Sequence, residues 1–226
     1  MHIEPGVVNG AKLLLSYGSS AVSFGIMSKL ALDAIKQSGF GSLVVKSLLT
    51  TLFVFIFFEV YPKEPVGVSE VHIILGSTLF LIFGMAPAAI GLAAGLFIQG
   101  AFFAPFDLPQ YGMNVTTLLM PLFAMSWVAK KVIPEQTAYK DLTYLQTLKL
   151  SAAYQGGIIS WVAFWAFYGS GFGAENLASV GSFCLAYTSV ILVEPLIDLA
   201  VLAGAKTVHR FKDSGVFERR LYNPAA

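Results

Sequence analysis

The sequence predicts an all-α integral membrane bundle of about seven transmembrane helices, N-terminus outside and C-terminus in the cytoplasm. Three observations predict it. Of 226 residues, 56% are hydrophobic and 12% charged, about half the charged share of an ordinary soluble domain. The charges are clustered, and no Lys, Arg, Asp or Glu falls between Val71 and Phe106. That run holds two spans joined by a tight turn. The basic residues, finally, sort to alternate loops, which fixes both the span count and the orientation.

The spans are expected near 10–34, 45–61, 71–86, 87–105, 113–131, 148–168 and 178–206, each close to the length a bilayer requires. Pro87 suits the first turn of a helix and separates the third span from the fourth. Pro109 and Gly112 punctuate the loop before the fifth, and Gly169, Gly171 and Gly173 break the chain before the seventh. With seven spans, Lys29, Lys36 and Lys46, then Lys130, Lys131, Lys140 and Lys149, then Lys206, Arg210, Lys212, Arg219 and Arg220 fall on one side. Only Lys12 and Lys63 fall on the other, and an even number of spans destroys this agreement. The whole chain, 1–226, reads as one polytopic domain in the cell inner (plasma) membrane.

Other classes are disfavoured. A net charge of +1 gives no footprint for nucleic acid. Cys184 is the single cysteine, so neither a disulfide framework nor a cysteine-rich metal site can form within one chain, and it reads as a small buried hydrophobe. Met1-His2-Ile3-Glu4-Pro5-Gly6 lacks the basic start of a signal peptide, so the mature chain is expected to begin at or near Met1.

The predicted topology collects Met1–Gly10, Tyr61–Glu70, Phe106–Gly112 and Gly169–Leu177 on the outer side. Two of the three histidines, His2 and His72, lie there, while His209 belongs to the basic tail. A lone histidine at a helix end is usually a satisfied polar residue; two on one face of a chain so poor in polar groups point to more. With a free α-amine, Met1 and His2 can chelate a metal through the amine, the deprotonated His2 amide and Nδ1 of His2, in fused rings lying in one plane. A further imidazole such as His72 closes the fourth corner. Such a planar nitrogen set suits Ni(II), Cu(II) or low-spin Co(II), and suits tetrahedral Zn(II) or oxygen-seeking Ca(II) and Mg(II) poorly.

These residues resemble the CbiM/NikM family, the metal-binding components of cobalt and nickel transporters of the energy-coupling factor (ECF) type. Met1-His2-Ile3 followed by Pro5-Gly6 is similar to the family's N-terminal signature, with Glu4-Pro5 in place of Pro-Asp. The closer match runs from Ser69-Glu70-Val71-His72 through Gly84 and Gln99 to Gly112-Met113-Asn114, without a gap. The resemblance implies metal ligation by Met1, His2 and His72. It gives Gln99 and Asn114 the role of groups that back the ligands or fix loops, helix capping being the plainer reading of Asn114. Glu59 stands where the family has a glutamine and adds a carboxylate able to tune the site or contribute a ligand. Cobalt and nickel accept the same nitrogens, so the substrate is Co(II) or Ni(II) without a choice between them.

In such transporters the small bundle captures the substrate outside, while a membrane coupling (T) subunit and a pair of ATPases drive release. The chain has no Gly-x-x-x-x-Gly-Lys-Ser/Thr loop of its own. Partners are therefore expected: the coupling subunit, the ATPase subunits and, in some systems, a small accessory membrane subunit. Ala21 and Gly25 offer a small-residue surface for close helix contact in lipid, with a partner or within the bundle. Glu194 and Asp198, beside Pro195, are expected toward the cytoplasmic end, paired with Lys or Arg or serving the coupling interface. Three alternatives stand beside this reading: a vitamin-binding component of the same class, a membrane enzyme using Glu59, His72 and Glu194, and a subunit without ligand. The expected distance of Glu194 from His72 argues against the enzyme.

Overall fold

The computed structural model describes residues 2–210. Met1, the expected amine donor, lies outside the described residues, as do Lys212, Arg219 and Arg220 of the basic tail.

The described residues form seven α-helices: α1 (Leu13–Ser38), α2 (Phe40–Phe55), α3 (Gly76–Phe83), α4 (Met85–Phe102), α5 (Tyr111–Val132), α6 (Tyr144–Ser170) and α7 (Ala174–Arg210). In lipid the backbone must satisfy its own hydrogen bonds, and helices do so segment by segment. The inside-out polarity of α1 shows the environment. Its buried residues are Ser16, Ser20 and Ser23, while Leu14, Val22 and Leu32 are exposed. Leu48, Leu52, Leu185, Leu192 and Leu196 also face outward, on α2 and α7. Serines inside and leucines outside belong to a helix surrounded by hydrocarbon, so the chain is a multi-pass membrane protein. By length and composition, Phe40–Val60, Met85–Phe102, Pro105–Val132 and Ala174–Arg210 are long and apolar enough to cross a membrane.

The expected third span, 71–86, is corrected. The helix there has eight residues, about 12 Å of rise and too short to cross a bilayer alone. Before it comes a two-stranded antiparallel hairpin, β1 (Glu64–Val66) and β2 (Ser69–Val71), with Val66 paired to Ser69. Gly67 holds φ +62° in the two-residue turn, and a side chain there would strike the Ser179 carbonyl of α7. Extended chain follows to Leu75. An apolar run cannot reveal this, because buried extended chain and buried helix share the same composition. From Gly67 beside Ser179 to Ile74 bonded to Glu194, the segment runs along α7. Seven extended residues cover about 23 Å, matching the roughly 22 Å that fifteen helical residues rise.

The break between α3 and α4 falls at Gly84, φ +92°, with Pro87 in the first turn of α4. Gly112 does not punctuate a loop but lies inside α5, where an added Cβ would sit 2.7 Å from Ser16 Oγ of α1. The loop before α5 is instead a 3-10 turn over Pro105–Gln110. The core runs through the middle of the bundle, with Trp165, Tyr154, Tyr187 and Phe183 among its largest fully buried side chains.

The four segments expected on one side do gather at one end. Lys12 Nζ donates to the Gly169 carbonyl at 2.8 Å, Ser170 Oγ to the Val7 carbonyl at 3.1 Å, and His2 reaches Asp107. Lys46 and Lys130 share a cleft at the opposite end, where Lys206 Nζ donates to the Lys140 carbonyl at 2.7 Å.

Candidate metal centre

The N-terminal segment joins the edge of β2 through an isolated antiparallel bridge. Ile3 bridges Ser69, the Glu70 N–H donates to the His2 carbonyl at 3.0 Å, and the Glu4 N–H donates to Val68 O at 3.1 Å. Ser69 Oγ adds a bond to the His2 carbonyl at 2.9 Å. The Ile3 N–H donates to Asn114 Oδ1 at 2.8 Å. Asn114 thus makes no cap for α5; its amide oxygen ties down the chain beside His2. The result buries His2 at 2% exposure and leaves Ile3 with none.

His72, at 3% exposure, follows β2 directly, so the strand that holds the N-terminal segment also carries the second histidine. The two rings meet edge to face with centroids 6.2 Å apart, and Phe58 packs on both, its ring 4.6 Å from that of His72. Phe58 sits in a π-helical turn, Ile56–Val60, that ends α2. One extra residue per turn redirects the side chains of that helix end, here aiming Phe58 inward.

The ring nitrogens are differentiated. His72 Nδ1 faces the Ile73 carbonyl at 3.1 Å. A carbonyl only accepts, so Nδ1 carries the proton and Nε2 keeps its lone pair. Nε2 of His72 is buried and has no hydrogen-bond partner, and the same holds for Nε2 of His2. His2 Nδ1 lies 2.6 Å from Asp107 Oδ2 and 3.6 Å from Glu70 Oε2. The nitrogen that an N-terminal chelate would use is therefore engaged by a carboxylate. His2, Glu70 and Asp107 offer donor atoms that all lie within 4.8 Å of one another. His72 stands beside this set and not inside it.

Glu70 and Asp107 were not singled out from the sequence as donors. Their one signal is position: they bracket the uncharged run from Val71 to Phe106. Crowding of acids has an effect on Glu4, whose carboxyl is held above its usual value first by burial, then by the charges of Glu70 and Asp107. Glu59 faces elsewhere. Its Oε2 accepts from Lys63 Nζ at 3.0 Å and from Gln99 Nε2 at 3.2 Å. Gln99 also donates to the Phe58 carbonyl at 3.1 Å, fixing the π-turn behind the histidines. Ala21 and Gly25 face outward, and an added Cβ at Gly25 would meet nothing within 4 Å.

The expectation for Glu194 and Asp198 is corrected on two points. Neither pairs with Lys or Arg among the described residues. Glu194 accepts from the Ile74 N–H and from Gln155 Nε2, which in turn is linked to Tyr187 through its oxygen. Asp198 accepts from Ser77 Oγ at 2.5 Å and from Thr78 Oγ1. Nor is Glu194 far from His72, since it binds a backbone group two residues further along the chain. The extended approach to α3 carries Ile74 down to it. The separation that counted against an enzyme is thus smaller than expected.

Taken together, His2, Glu70 and Asp107 bring donor atoms within 4.8 Å of one another, with the His72 ring edge to face against His2, at the end of the bundle where the N-terminal segment is locked in place. The match to known proteins agrees with that chemistry. The family model described as "CbiM: Cobalt uptake substrate-specific transmembrane region" matches residues 2–210. A crystal structure of a transition metal transporter aligns at TM-score 0.68, with 15% identity over 100% of both chains. A truncated transition metal transporter aligns at TM-score 0.64, with 14% identity over 93% of this chain and 97% of that one. At such identities these two likenesses speak for the fold alone. No curated protein matches. The family match extends over all of the described residues, and the chain belongs to the CbiM family of cobalt-uptake substrate-specific transmembrane proteins.

Proposed function

We infer that the chain is the substrate-specific component of an ECF-type importer, capturing Co(II) or Ni(II) for ATP-driven uptake by partner subunits. The observation that carries this reading is the pair of buried imidazoles, His2 and His72, edge to face with centroids 6.2 Å apart, with Nε2 of His72 left without a partner. An imidazole nitrogen buried in a membrane bundle without a partner is costly unless something binds it. The Met1 amine, the His2 amide and imidazole, and His72 form the nitrogen donor set. Asn114 holds the N-terminal segment in register with β2, and Gln99 and Glu59 fix the end of α2 behind the histidines.

The basic residues cluster at the end of the bundle opposite His2, which supports a cytoplasmic placement of that end and an extracytoplasmic placement of the site. Capture outside and release inside then need a coupling subunit and ATPases, with a small accessory membrane subunit in some assemblies. The outward face of α1 at Ala21 and Gly25 suits close helix contact with the coupling subunit.

Elemental analysis of protein purified with an untagged N-terminus, under competition among cobalt, nickel, copper and zinc, tests the reading. The expected result is one equivalent of cobalt or nickel retained through purification. Protein that retains neither metal refutes it.

A further inference from the structure

The cleft at the basic end of the bundle plays no part in the metal site. It encloses about 410 Å³ between the last turns of α1, the start of α2, the break between α3 and α4, and the end of α5. That volume falls within the roughly 300–1,000 Å³ of ordinary small-molecule sites. Lys46 of α2 and Lys130 of α5 line it, facing Asp33 and Gln37 of α1. Among the described residues neither lysine pairs with a carboxylate, and Asp33 pairs with no cation. Two ammonium groups and one carboxylate thus share a cavity without neutralising one another. Met85 and Ala86 also line it, at the start of α4, which has no side-chain cap.

Neighbouring aromatic residues give the depth of this cleft in the membrane. Trp127, one turn before Lys130, is exposed, with the Lys131 ammonium 3.4 Å from its ring centroid. Tyr144, exposed at the start of α6, has Lys206 Nζ 5.8 Å from its ring. Exposed Trp and Tyr under basic groups mark the level where hydrocarbon meets the lipid headgroups. Beyond Lys46 along α2, Leu48 and Leu52 are exposed, as hydrocarbon-facing residues are. The cleft therefore opens at the level of lipid phosphates.

We propose that this cleft binds the headgroup of an aminophospholipid, its phosphate on Lys46 and Lys130 and its primary amine on Asp33. Basic pockets between transmembrane helices are a recurring way to hold lipid phosphate. Charge complementarity selects the amine. A phosphate alone, free or on a purely anionic lipid, would leave Asp33 facing a second negative charge, whereas a phosphoethanolamine group answers all three charges of the cleft. A primary ammonium also donates hydrogen bonds to the carboxylate, which the quaternary amine of choline cannot do. The acyl chains lie along the hydrocarbon-facing side of α2, past Leu48 and Leu52, a contact that a free phosphate lacks. Bound there, the lipid braces the α3–α4 break against α1, α2 and α5. The proposal is independent of the cargo reading, because the cleft lies at the end of the bundle opposite His2.

The test titrates phosphatidylethanolamine, phosphatidylcholine and phosphatidylglycerol of matched acyl chains into the full chain, delipidated in detergent. Native mass spectrometry counts the bound lipids, and melting temperature reads the bracing. Wild type is expected to hold one phosphatidylethanolamine about tenfold more tightly than either other lipid, and to melt higher with it. Lys46→Gln and Lys130→Gln should each weaken that binding about tenfold, the cost of one charge-assisted hydrogen bond. Asp33→Asn should keep phospholipid binding and lose the preference for ethanolamine over glycerol. Inorganic phosphate should neither compete nor stabilise. Equal binding of the three lipids by wild type overturns the proposal, and so does a preference for phosphatidylglycerol. Folded lysine variants that bind phosphatidylethanolamine like wild type also overturn it. Should one lysine variant fail to fold, the other and the wild-type comparison among headgroups still decide.

Discussion

In the proposed site His72 is prepared as a ligand by two neighbours and by burial: the Ile73 carbonyl accepts a hydrogen bond from Nδ1–H, Phe58 packs against the ring, and burial removes competing water. Removing the ring should therefore abolish high-affinity metal binding while leaving the helices intact. Loss of groups that merely orient a ligand costs about 10–100-fold in affinity, so His72→Ala should cost more than that range in a competition titration. A folded variant that binds cobalt or nickel as tightly as wild type would remove His72 from the ligand set. Glu4 makes a second residue-scale prediction. Its carboxyl is held above the usual value by burial and by the charges of Glu70 and Asp107. Folding thus disfavours its ionised form. The penalty is absent below the ordinary carboxyl value, grows as pH rises toward the raised one, and persists above it. Glu4→Gln should raise the melting temperature of metal-free protein at neutral pH, and the gain should fade on acidification; an equal gain at acid pH would contradict the cause. His2 and His72 were legible in the sequence because histidines are rare here and two shared a predicted face. Glu70 and Asp107 were not, because carboxylates at the margin of an apolar run read as ordinary interfacial groups until the fold aims them at His2.

Among the elements, the segment from β2 to α3 departs most from what sequence reveals. Helix boundaries elsewhere follow the expected spans within a few residues, because lipid leaves the backbone little choice but helix. Here β2 and α7 satisfy the backbone instead. Ile74 bonds to Glu194, and Ser77 and Thr78 at the start of α3 bond to Asp198. The two acids of α7 thus act as anchors for the short helix and, through it, for His72. Glu194→Leu strips the acceptor from both the Ile74 N–H and Gln155, and each buried group left unpaired costs about 1–3 kcal/mol. Thermal unfolding in detergent should rank wild type above Glu194→Gln, which keeps an oxygen for Ile74, and both above Glu194→Leu. Cobalt affinity should fall in the same order, since the extended segment positions His72. A leucine variant as stable as wild type would show that the anchor does not hold α3.

At the scale of the whole molecule, three loops far apart in sequence converge on one end of the bundle and enclose the N-terminal segment. The gathering of these segments was readable from the alternation of basic loops, whereas the depth to which the chain start is buried was not. The bridge to β2, the Asn114 anchor and the bond to Asp107 together fix His2 in place. The central claim is that the amine of Met1, the His2 amide and the His2 ring bind the ion as one unit. It requires a free amine one residue before His2. An added residue moves His2 to position three, where a chelate needs two amide nitrogens and leaves no corner for His72. The direct measurement is metal content of an N-terminally tagged protein against the same protein after scarless release of Met1. The account predicts about one equivalent of cobalt or nickel only after release; equal loading of the two forms would contradict it.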